Sequence, residues 1–405
     1  MAKTMKKFVC RHPWSHFEVN NPNGDVTMCC NNNTVLGNVN KNSIGEIWNG
    51  EAFQKARRRM RDEGAHAMCP HTCPVLQGGK KYENLDWYTE LTDGGAPQNN
   101  AELNENEYAA GATALDSTPR WLRFTYSYAC NLDCYHCYQR EDAKMRIKLP
   151  ETFMAELVRY TPNSQVVFPF GGEPFYFKPV LEFLDNHDTT LETRFFFITN
   201  ATLLTDRVFE ILERSPITCM AASLDAATEH SFQTLRVRGR NAAWATVMDN
   251  LKRLQGLKAR KDFRFTLSMT VNSVNCGEIE AFVDLALSVD AEPLISLVAN
   301  PYQTYEFQKK FLVFTDVQFE QMFTAIERAL PKVRQRGIDD AELYLKQLRG
   351  ILRQHRDTDN NPARLRAMNL ARKAYRILPE QLQLPIRRVV QTARARRLKE
   401  YTSDE

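Results

Sequence analysis

The chain has 405 residues and a formal net charge of +4, with 43% hydrophobic and 25% charged residues. This composition is ordinary for a globular protein. No run approaches the roughly 20 apolar residues of a membrane-spanning helix, and residues 1–9 are basic but lack the apolar stretch of a signal peptide. We therefore expect no membrane association, a cytoplasmic location, and one barrel-sized domain with smaller additions.

Residues 1–83 are predicted to form a small cysteine-bearing domain. Residues 17–20 and 25–28 form a predicted hairpin around the turn that contains Gly24. A helical region follows from Ser43, whose spacing to Glu46 is that of a capping box. Residues 84–118 lack apolar periodicity, which predicts a linker or an extended loop.

From residue 119 to about residue 300, short β-rich runs alternate with helical stretches. The predicted strands are Leu122–Ser127, Gln165–Phe170, Arg194–Thr199, Thr218–Leu224, Arg264–Val271 and Pro293–Val298. The predicted helices are Pro150–Thr161, Pro179–Asp188, Asp206–Ser215, Ala242–Leu257 and Glu278–Ser288. This alternation predicts a parallel sheet, either open or a partial barrel, with ligands at the carboxyl ends of the strands.

Residues 301–405 are predicted to be mostly helical. Between Lys332 and Lys399 basic residues greatly outnumber acidic ones, most densely in Pro385–Arg388 and Ala393–Arg397. A solvated helical face is the favoured interpretation of this basic tail. The alternative is a surface that holds nucleic acid through phosphate contacts.

The ten cysteines predict metal or redox chemistry rather than disulfides, because the cytosol keeps thiols reduced. Eight of them fall into two groups, which are Cys10, Cys29, Cys30, Cys69 and Cys73, and then Cys130, Cys134 and Cys137. Cys219 and Cys276 lie in strand-like segments and are predicted to be buried packing residues.

Cys130, Cys134 and Cys137 directly follow the first predicted strand of the barrel. Three thiolates at this spacing can share one cubane iron–sulfur cluster and leave one iron open, as a catalytic site requires. A structural zinc site, with His136 as a fourth ligand, is the alternative. After the second strand comes Gly171-Gly172-Glu173-Pro174, in which the glycines permit a close backbone approach and Glu173 offers a charged acceptor.

Together these two motifs resemble the radical S-adenosylmethionine (SAM) superfamily. The resemblance implies a [4Fe-4S] cluster on the three cysteines and SAM as cofactor, with Gly171, Gly172, Glu173 and Pro174 at its amino group. It also implies that a reductase, such as flavodoxin or ferredoxin, supplies the electron that splits SAM, and that the resulting 5′-deoxyadenosyl radical removes a substrate hydrogen. Further residues that resemble the family's cofactor contacts are Asn200, Ser223, Asp225, either Arg236 or Arg238, and, near the adenine, Tyr135 or His136. No side chain is assigned as a catalytic acid or base.

The first cysteine group resembles the SPASM and twitch auxiliary domains of such enzymes. Cys10 is followed by thirteen residues, Gly24, four residues and Cys29, with Cys69 and Cys73 later. These four thiolates would close one auxiliary [4Fe-4S] cluster, so the one-cluster twitch form fits better than the full form. Cys29 is preferred over Cys30 as ligand, and a zinc knuckle is the alternative. The domain precedes the barrel, whereas in the family it usually follows it.

The predicted fold is α/β: a partial (β/α)6 TIM-like barrel at 119–300, an N-terminal small α+β cysteine-rich twitch/SPASM-like domain, and a helical C-terminal region. The predicted function is a radical SAM enzyme that oxidises or crosslinks a peptide or sugar-like substrate. One alternative is modification of a nucleic acid or nucleotide held by the basic tail. Another is a non-catalytic metal-binding scaffold.

Overall fold

The computed structural model describes residues 9–70, 73, 76, 95–137, 139, 146–188, 192–237, 242–298, 305–358 and 360. The chain forms two compact units. The first comprises Met1–Asn131, Glu141–Thr199 and Leu203–Met220, and the second comprises Leu132–Arg140, Asn200–Thr202 and Ala221–Glu405.

The N-terminal part of the first unit is a small α+β module. Its strands are β1 (His16–Val19), β2 (Asp25–Thr27) and β3 (Gly37–Asn38), and its helices are α1 (His12–Ser15), α2 (Ile44–Trp48), α3 (Glu51–Glu63) and α4 (Ala65–Met68). The predicted hairpin is confirmed, because β1 and β2 are antiparallel with Glu18 opposite Thr27. The predicted capping box is also confirmed, since the side chains of Ser43 and Glu46 each accept the other's backbone N–H.

Helix α5 (Gly95–Ala109) occupies part of the stretch predicted to be a linker or extended loop. That prediction is wrong for residues 95–109. The helix is held by side-chain amides: Asn104 Nδ2 donates to Trp14 O at 2.6 Å and to Ser117 Oγ at 2.9 Å. A helix anchored in this way has no apolar stripe for a periodicity search to find. Residues 84–94 of the predicted linker lie outside the described residues.

Strand β1 joins the N-terminal module to the main sheet. It pairs in parallel with β4 (Trp121–Thr125), so that His16 lies opposite Trp121 and Glu18 opposite Arg123. The sequence analysis did not predict this pairing, because a parallel partner far along the chain leaves no local pattern. The cysteine-bearing module is therefore hydrogen-bonded to the first strand of the barrel.

The rest of the first unit is built from parallel strands and the helices that cover one of their faces. β5 (Val166–Phe170) pairs with β4, and β6 (Arg194–Thr199) pairs with β5, giving the strand order β3-β2-β1-β4-β5-β6. The helices are α6 (Glu151–Tyr160), α7 (Lys178–Asp185) and α8 (Asp206–Arg214). Phe124 faces this helical layer, since its ring contacts Phe153 of α6 and Phe183 of α7 at centroid distances of 5.9 and 6.3 Å.

The second unit continues the strand–helix alternation. It holds the last three residues of β7 (Ile217–Ser223), the parallel pair β8 (Arg264–Val271) and β9 (Glu292–Leu297), and the helices α9 (Glu229–Phe232), α10 (Trp244–Lys258) and α11 (Ile279–Ser288). The C-terminal helices are α12 (Tyr305–Phe311), α13 (Asp316–Gln335) and α14 (Asp339–Thr358). The helical prediction is confirmed for this part, while both dense basic segments lie outside the described residues.

All six predicted strands and all five predicted helices between residues 119 and 300 are present. The fold is therefore α/β, a partial (β/α)6 barrel with a small N-terminal α+β module and a helical C-terminal region, as predicted. No helix in the described ranges is long and apolar enough to cross a membrane.

Candidate functional site

The loops that follow β4 and β5 approach each other closely at the carboxyl end of the first unit's sheet. Gly172 N donates to Ser127 O at 3.0 Å. A Cβ placed on Gly172 would lie 1.9 Å from Ala129 O, and one on Gly171 would lie 2.4 Å from Ser127 O. Gly171 also has a φ of +137°, which favours glycine. Both glycines are therefore required by the approach of this loop to the segment that leads into Cys130.

Glu173 is buried beside the end of β6, with 1% of its surface exposed. Its Oε1 accepts hydrogen bonds from Thr199 Oγ1 at 2.8 Å and from Phe175 N at 3.4 Å. Pro174 begins the short turn that follows. A buried carboxylate at the end of a strand fits the binding of a cationic amino group.

In the second unit, the cysteine loop at residues 132–137 rests on a turn at Gln233–Val237. Asp133 N donates to Arg236 O at 3.2 Å, and Tyr135 N donates to Leu235 O at 3.0 Å. These two backbone bonds hold the loop that carries Cys134 and Cys137 against Leu235 and against Arg236, which the sequence placed among the cofactor contacts.

The ring of Tyr135 is covered by helix α12. Phe311 lies 5.4 Å from it between ring centroids, and Lys310 Nζ lies 4.2 Å from the ring centroid. The C-terminal helical region therefore contacts the cysteine loop directly, which no sequence signal indicated.

Asp225 is the centre of a buried polar network in the second unit. Its Oδ2 pairs with Arg236 Nη1 and, at 3.1 Å, with His136 Nε2. Its Oδ1 accepts from Thr270 N at 2.7 Å and from Thr270 Oγ1 at 2.6 Å, and Asn275 Nδ2 donates to its carbonyl at 2.8 Å. Burial alone would raise the pKa of the Asp225 carboxyl, but His136 and Arg236 hold that pKa well below its ordinary value.

The structure thus brings three predicted site residues, Asp225, Arg236 and His136, into one cluster. The Asp225 carboxylate holds the other two side chains, whereas the resemblance to the family implied that all three contact the cofactor. Ser223 Oγ lies 3.3 Å from Ser268 Oγ, and Asn200 Oδ1 accepts from Thr202 N at 2.9 Å. Arg238 lies outside the described residues.

Cys134 is a buried thiol whose chemistry fits a metal-bound thiolate. Burial raises its pKa to about 11, so the free thiol is protonated at neutral pH. A coordinating metal would deprotonate it. As the side chains stand, the described residues contain no group of three or more His, Cys, Asp or Glu close enough to hold a metal ion.

Three cysteines of the N-terminal module share one neighbourhood. The pKa of the Cys10 thiol is raised to about 12, mainly by burial and to a smaller extent by the nearby Cys69 and Cys73 thiols, against a backbone hydrogen bond at His12 that lowers it. Burial, and then Cys73, raises the pKa of Cys69 to about 11. Buried thiols of this kind become thiolates only when a metal binds them.

Cys29 and Cys30 follow β2 and interact with each other. Cys29 is buried and Cys30 is exposed. The hydrogen bond between the two thiols raises the pKa of Cys29 and lowers that of Cys30. Asn20 Nδ2 donates to Cys29 O at 3.5 Å, which ties this turn to the end of β1.

Comparison with known proteins adds two family matches. Residues 124–286 match the model of the radical SAM superfamily, and residues 10–74 match the SPASM model, described as an iron–sulfur cluster-binding domain. The chain therefore contains a radical SAM domain and a SPASM iron–sulfur domain. Its cofactors are SAM, the [4Fe-4S] cluster of that family and an auxiliary [4Fe-4S] cluster.

Individual relatives of this radical SAM enzyme are distant. The AdoMet-dependent heme synthase of Methanosarcina barkeri (strain Fusaro / DSM 804) is 25% identical over 183 residues, which are 44% of this chain and 50% of the relative. The chain thus spans about half the length of this curated relative.

Solved structures that resemble this chain include SuiB of Streptococcus suis bound to S-adenosylmethionine. It is 19% identical, the match covers 59% of this chain and 52% of that chain, and the TM-score is 0.42. Native anSMEcpe with bound AdoMet and the Kp18Cys peptide has 15% identity, covers 54% of this chain and 62% of that chain, and has a TM-score of 0.40.

Sequence reasoning missed some residues of this radical SAM enzyme's site. Thr270 and Asn275 complete the Asp225 network, and the signal available for them was their position at and just after the end of the predicted strand Arg264–Val271. Glu18 and Arg123 form a buried pair across β1 and β4 at 3.1 Å. No local signal joins these two residues, because the pairing of the two strands creates the contact.

Proposed function

We propose that Cys130, Cys134 and Cys137 hold the cluster that reduces SAM, and that Gly171–Pro174 receives the amino group of the cofactor's methionine half. The observation that supports this most is the approach of Gly172 to within hydrogen-bond distance of the segment before Cys130, beside the buried Glu173. A side chain at Gly172 would collide with that segment. Two strand-end loops held this close suit a cofactor that must reach an iron and a carboxylate together.

The remaining cofactor contacts follow as part of the same proposal. Ser223 ends β7 and Asn200 directly follows β6, where this fold binds ligands, and either Arg236 or Arg238 is proposed to bind the methionine carboxylate. Tyr135 or His136 lies near the adenine and contacts it chiefly through its backbone. Asp225 positions His136 and Arg236 rather than touching the cofactor, since both of its oxygens already accept hydrogen bonds.

We further propose that Cys10, Cys29, Cys69 and Cys73 hold the auxiliary cluster, within a domain bounded near residue 83. When bound, the cluster of the radical SAM domain supplies the electron that cleaves SAM, and the cleavage yields a radical able to remove a substrate hydrogen. The chain's own residues position SAM and exclude water. A cluster held by Cys10, Cys29, Cys69 and Cys73 would supply an acceptor for the unpaired electron of the substrate radical, and with the loss of one proton the net reaction would be a two-electron oxidation or a crosslink.

The proposed substrate is a peptide or a sugar-like molecule, and the proposed electron donor is a flavodoxin or ferredoxin. The heme synthase activity in the name of the Methanosarcina barkeri relative belongs to that relative, and this chain matches half of it. The nucleic-acid alternative depends on the basic segments beyond residue 360, and no contact of the described residues favours it.

The test is anaerobic reconstitution of the full chain with iron and sulfide. We expect about eight irons per chain, since two cubane clusters are proposed, and 5′-deoxyadenosine on reduction in the presence of SAM. Cys219→Ala is the control, because Cys219 is a buried cysteine of β7 outside both groups. Zinc-loaded protein that fails to cleave SAM after reconstitution would refute the proposal.

A further inference from the structure

The face of the first unit's sheet opposite helices α6 and α7 carries an unusual combination of side chains. Successive residues of a strand point to opposite faces, so Arg123 and Thr125 of β4 lie on the face away from Phe124. The strand register places Glu18 and Phe168 beside Arg123 and Phe170 beside Thr125. We name this set, with Phe196 of β6, the Arg123 face.

The Arg123 face has an aromatic wall. Phe168 lies 4.4 Å from Phe196 and 5.5 Å from Phe170 between ring centroids. Phe170, Phe196 and the adjacent Ile198 are only partly buried, although they pack against the core formed by Trp121, Val166 and Phe168. Apolar side chains with free surface on the ligand-binding side of a barrel suit the body of a ligand.

Arg123 lies beside these aromatic rings, and only part of its guanidinium group makes hydrogen bonds. Arg123 Nη1 donates to Glu18 Oε2 at 3.1 Å and to Asn20 Oδ1 at 2.5 Å, and its Cζ lies 4.3 Å from the centroid of the Phe170 ring. Its Nε is buried and has no hydrogen-bond partner in the described part of the chain. The Nε–Nη2 edge of a guanidinium is one that a carboxylate takes with two parallel hydrogen bonds.

A second polar atom on this face also lacks a partner. Thr125 Oγ1, two residues further along β4, is fully buried without a hydrogen bond to any described residue. Buried donors and acceptors without partners are costly and are uncommon in native proteins. Two on one strand face, beside aromatic rings with free surface, indicate that a polar ligand group belongs there.

The position of Arg123 relative to the cofactor loop limits the size of such a ligand. Arg123 lies opposite Phe168 of β5, and Gly171 comes three residues after Phe168, just past the end of β5. At a strand rise of roughly 3.3 Å per residue, the Arg123 Cα is on the order of 10 Å below the loop, and its guanidinium lies beside the Phe170 ring. A ligand anchored at Arg123 would thus extend along Phe170 and Ile198 towards the loop.

Resting on the function proposed above, we propose that the Arg123 face binds the substrate and selects an apolar organic acid. The apolar body lies on Phe170, Phe196 and Ile198, and a carboxylate or similar oxyanion lies on the Nε–Nη2 edge of Arg123. This narrows the proposed substrate class from a peptide or sugar-like molecule to one that has an apolar body and an acidic group.

The test uses two fluorescent probes of matched shape on the reconstituted full chain. They are 8-anilinonaphthalene-1-sulfonate, which has an aromatic body and an anion, and N-phenyl-1-naphthylamine, which lacks the anion. Arg123→Lys should weaken binding of the sulfonate probe about tenfold or more, as expected for the loss of a charge-assisted bidentate bond. It should weaken binding of the neutral probe by less than about twofold. Phe196→Ala should weaken both probes.

Glu18→Gln is the matched control, because it breaks the same ion pair and leaves the free edge of Arg123 in place. It should retain sulfonate binding. Displacement of that probe by 4-phenylbutyrate or by acetyl-Phe-Leu-Glu-amide would support the proposal and would show whether the acid is taken free or within a peptide. Displacement by neither compound would overturn it.

The proposal is also overturned if Arg123→Lys and Glu18→Gln affect both probes alike, since the pair would then be structural only. Formation of 5′-deoxyadenosine is measured on the same samples. Its absence from the unsubstituted protein would reject the proposed function, whereas normal cleavage with unaltered probe binding in Arg123→Lys would reject the Arg123 face alone.

Discussion

At the scale of single residues, the carboxylate of Asp225 decides the local electrostatics of the second unit. It neutralises the buried Arg236 and holds His136, which lies between Cys134 and Cys137 in the cysteine loop. Removing one partner of a buried ion pair leaves the other charge without compensation, and this is more costly than removing both.

We expect Asp225→Asn to lower the free energy of unfolding by about 3 kcal/mol, measured by denaturant titration. Asp290→Asn is the matched control, because both residues have a left-handed φ, of 57° and 56°, which asparagine also adopts. Asp290 pairs with Lys258 at the surface, so its loss should cost less than about 1 kcal/mol. Equal losses in the two variants would contradict a special role for Asp225.

The contribution of Asp225 to the free energy of unfolding should also depend on pH. Its pKa is lowered in the folded protein from an ordinary value of 3.8. The stabilisation is therefore present above that value and is lost as the pH falls below it towards the folded pKa. The difference in unfolding free energy between the wild type and Asp225→Asn should shrink in acid below pH 3.8, and a difference that grows there would show that the sign is wrong.

Gly172 is the point of close approach between the loop after β4 and the loop after β5. Gly172→Ala would place a Cβ 1.9 Å from Ala129 O and 2.6 Å from Tyr128 O, so backbone must move. A shift on the order of 1 Å should weaken SAM binding about tenfold or more, measured by equilibrium dialysis of reconstituted protein. Gly277→Ala has nothing within 4 Å of the new Cβ and should bind as the wild type does. Unchanged binding in Gly172→Ala would place the cofactor elsewhere.

At the scale of elements, the pairing of β1 with β4 makes the N-terminal module part of the barrel sheet. Helix α5 supports this junction, since Asn104 is buried and donates to Trp14 O in the module and to Ser117 Oγ before β4. An auxiliary domain that precedes the barrel in sequence is thus attached at its first strand.

We expect Asn104→Ala to cost about 2 kcal/mol of unfolding free energy, because it removes two hydrogen bonds and leaves a buried carbonyl oxygen without its donor. Asn106→Ala lies in the same helix on an exposed position and is the matched control. It should be neutral or slightly stabilising, since alanine is the better helix former. A similar loss of unfolding free energy in both variants would mean that the change in helix propensity, rather than the loss of the Asn104 hydrogen bonds, causes it.

At the scale of the whole molecule, the chain carries two groups of thiols in separate parts of its sequence, and we propose a distinct cluster on each. Cys134 is a buried thiol of the first barrel loop, and Cys69 is a half-buried thiol near Cys10 and Cys73. If the two clusters are independent, each can be lost alone.

We expect Cys134→Ala to halve the iron content and to abolish formation of 5′-deoxyadenosine. Cys69→Ala should also remove about half of the iron, since each cubane is held by its own cysteines, but SAM cleavage should continue. Iron analysis and product chromatography on anaerobic samples test both. Cleavage that persists in Cys134→Ala, or that is lost in Cys69→Ala with the first cluster intact, would contradict the assignment.

The sequence by itself determined the family and most of the fold. The sequence shows the cysteine spacing, the Gly171–Pro174 motif and the alternation of strands and helices. Each of these is a local pattern, which a short stretch of sequence is enough to reveal. Strand Arg194–Thr199 and strand Arg264–Val271 were predicted with the bounds that the structure has. The hairpin and the capping box of the N-terminal module were predicted for the same reason.

Only the tertiary structure decided which distant residues meet. The pairing of β1 with β4 created the Glu18–Arg123 pair, amide anchors made residues 95–109 a helix, and Asp225 became a positioning residue once Thr270 and Asn275 surrounded it. Each of these contacts joins segments far apart in the chain. Their energy comes from burial and from hydrogen bonds between those segments, so no short window of sequence records them.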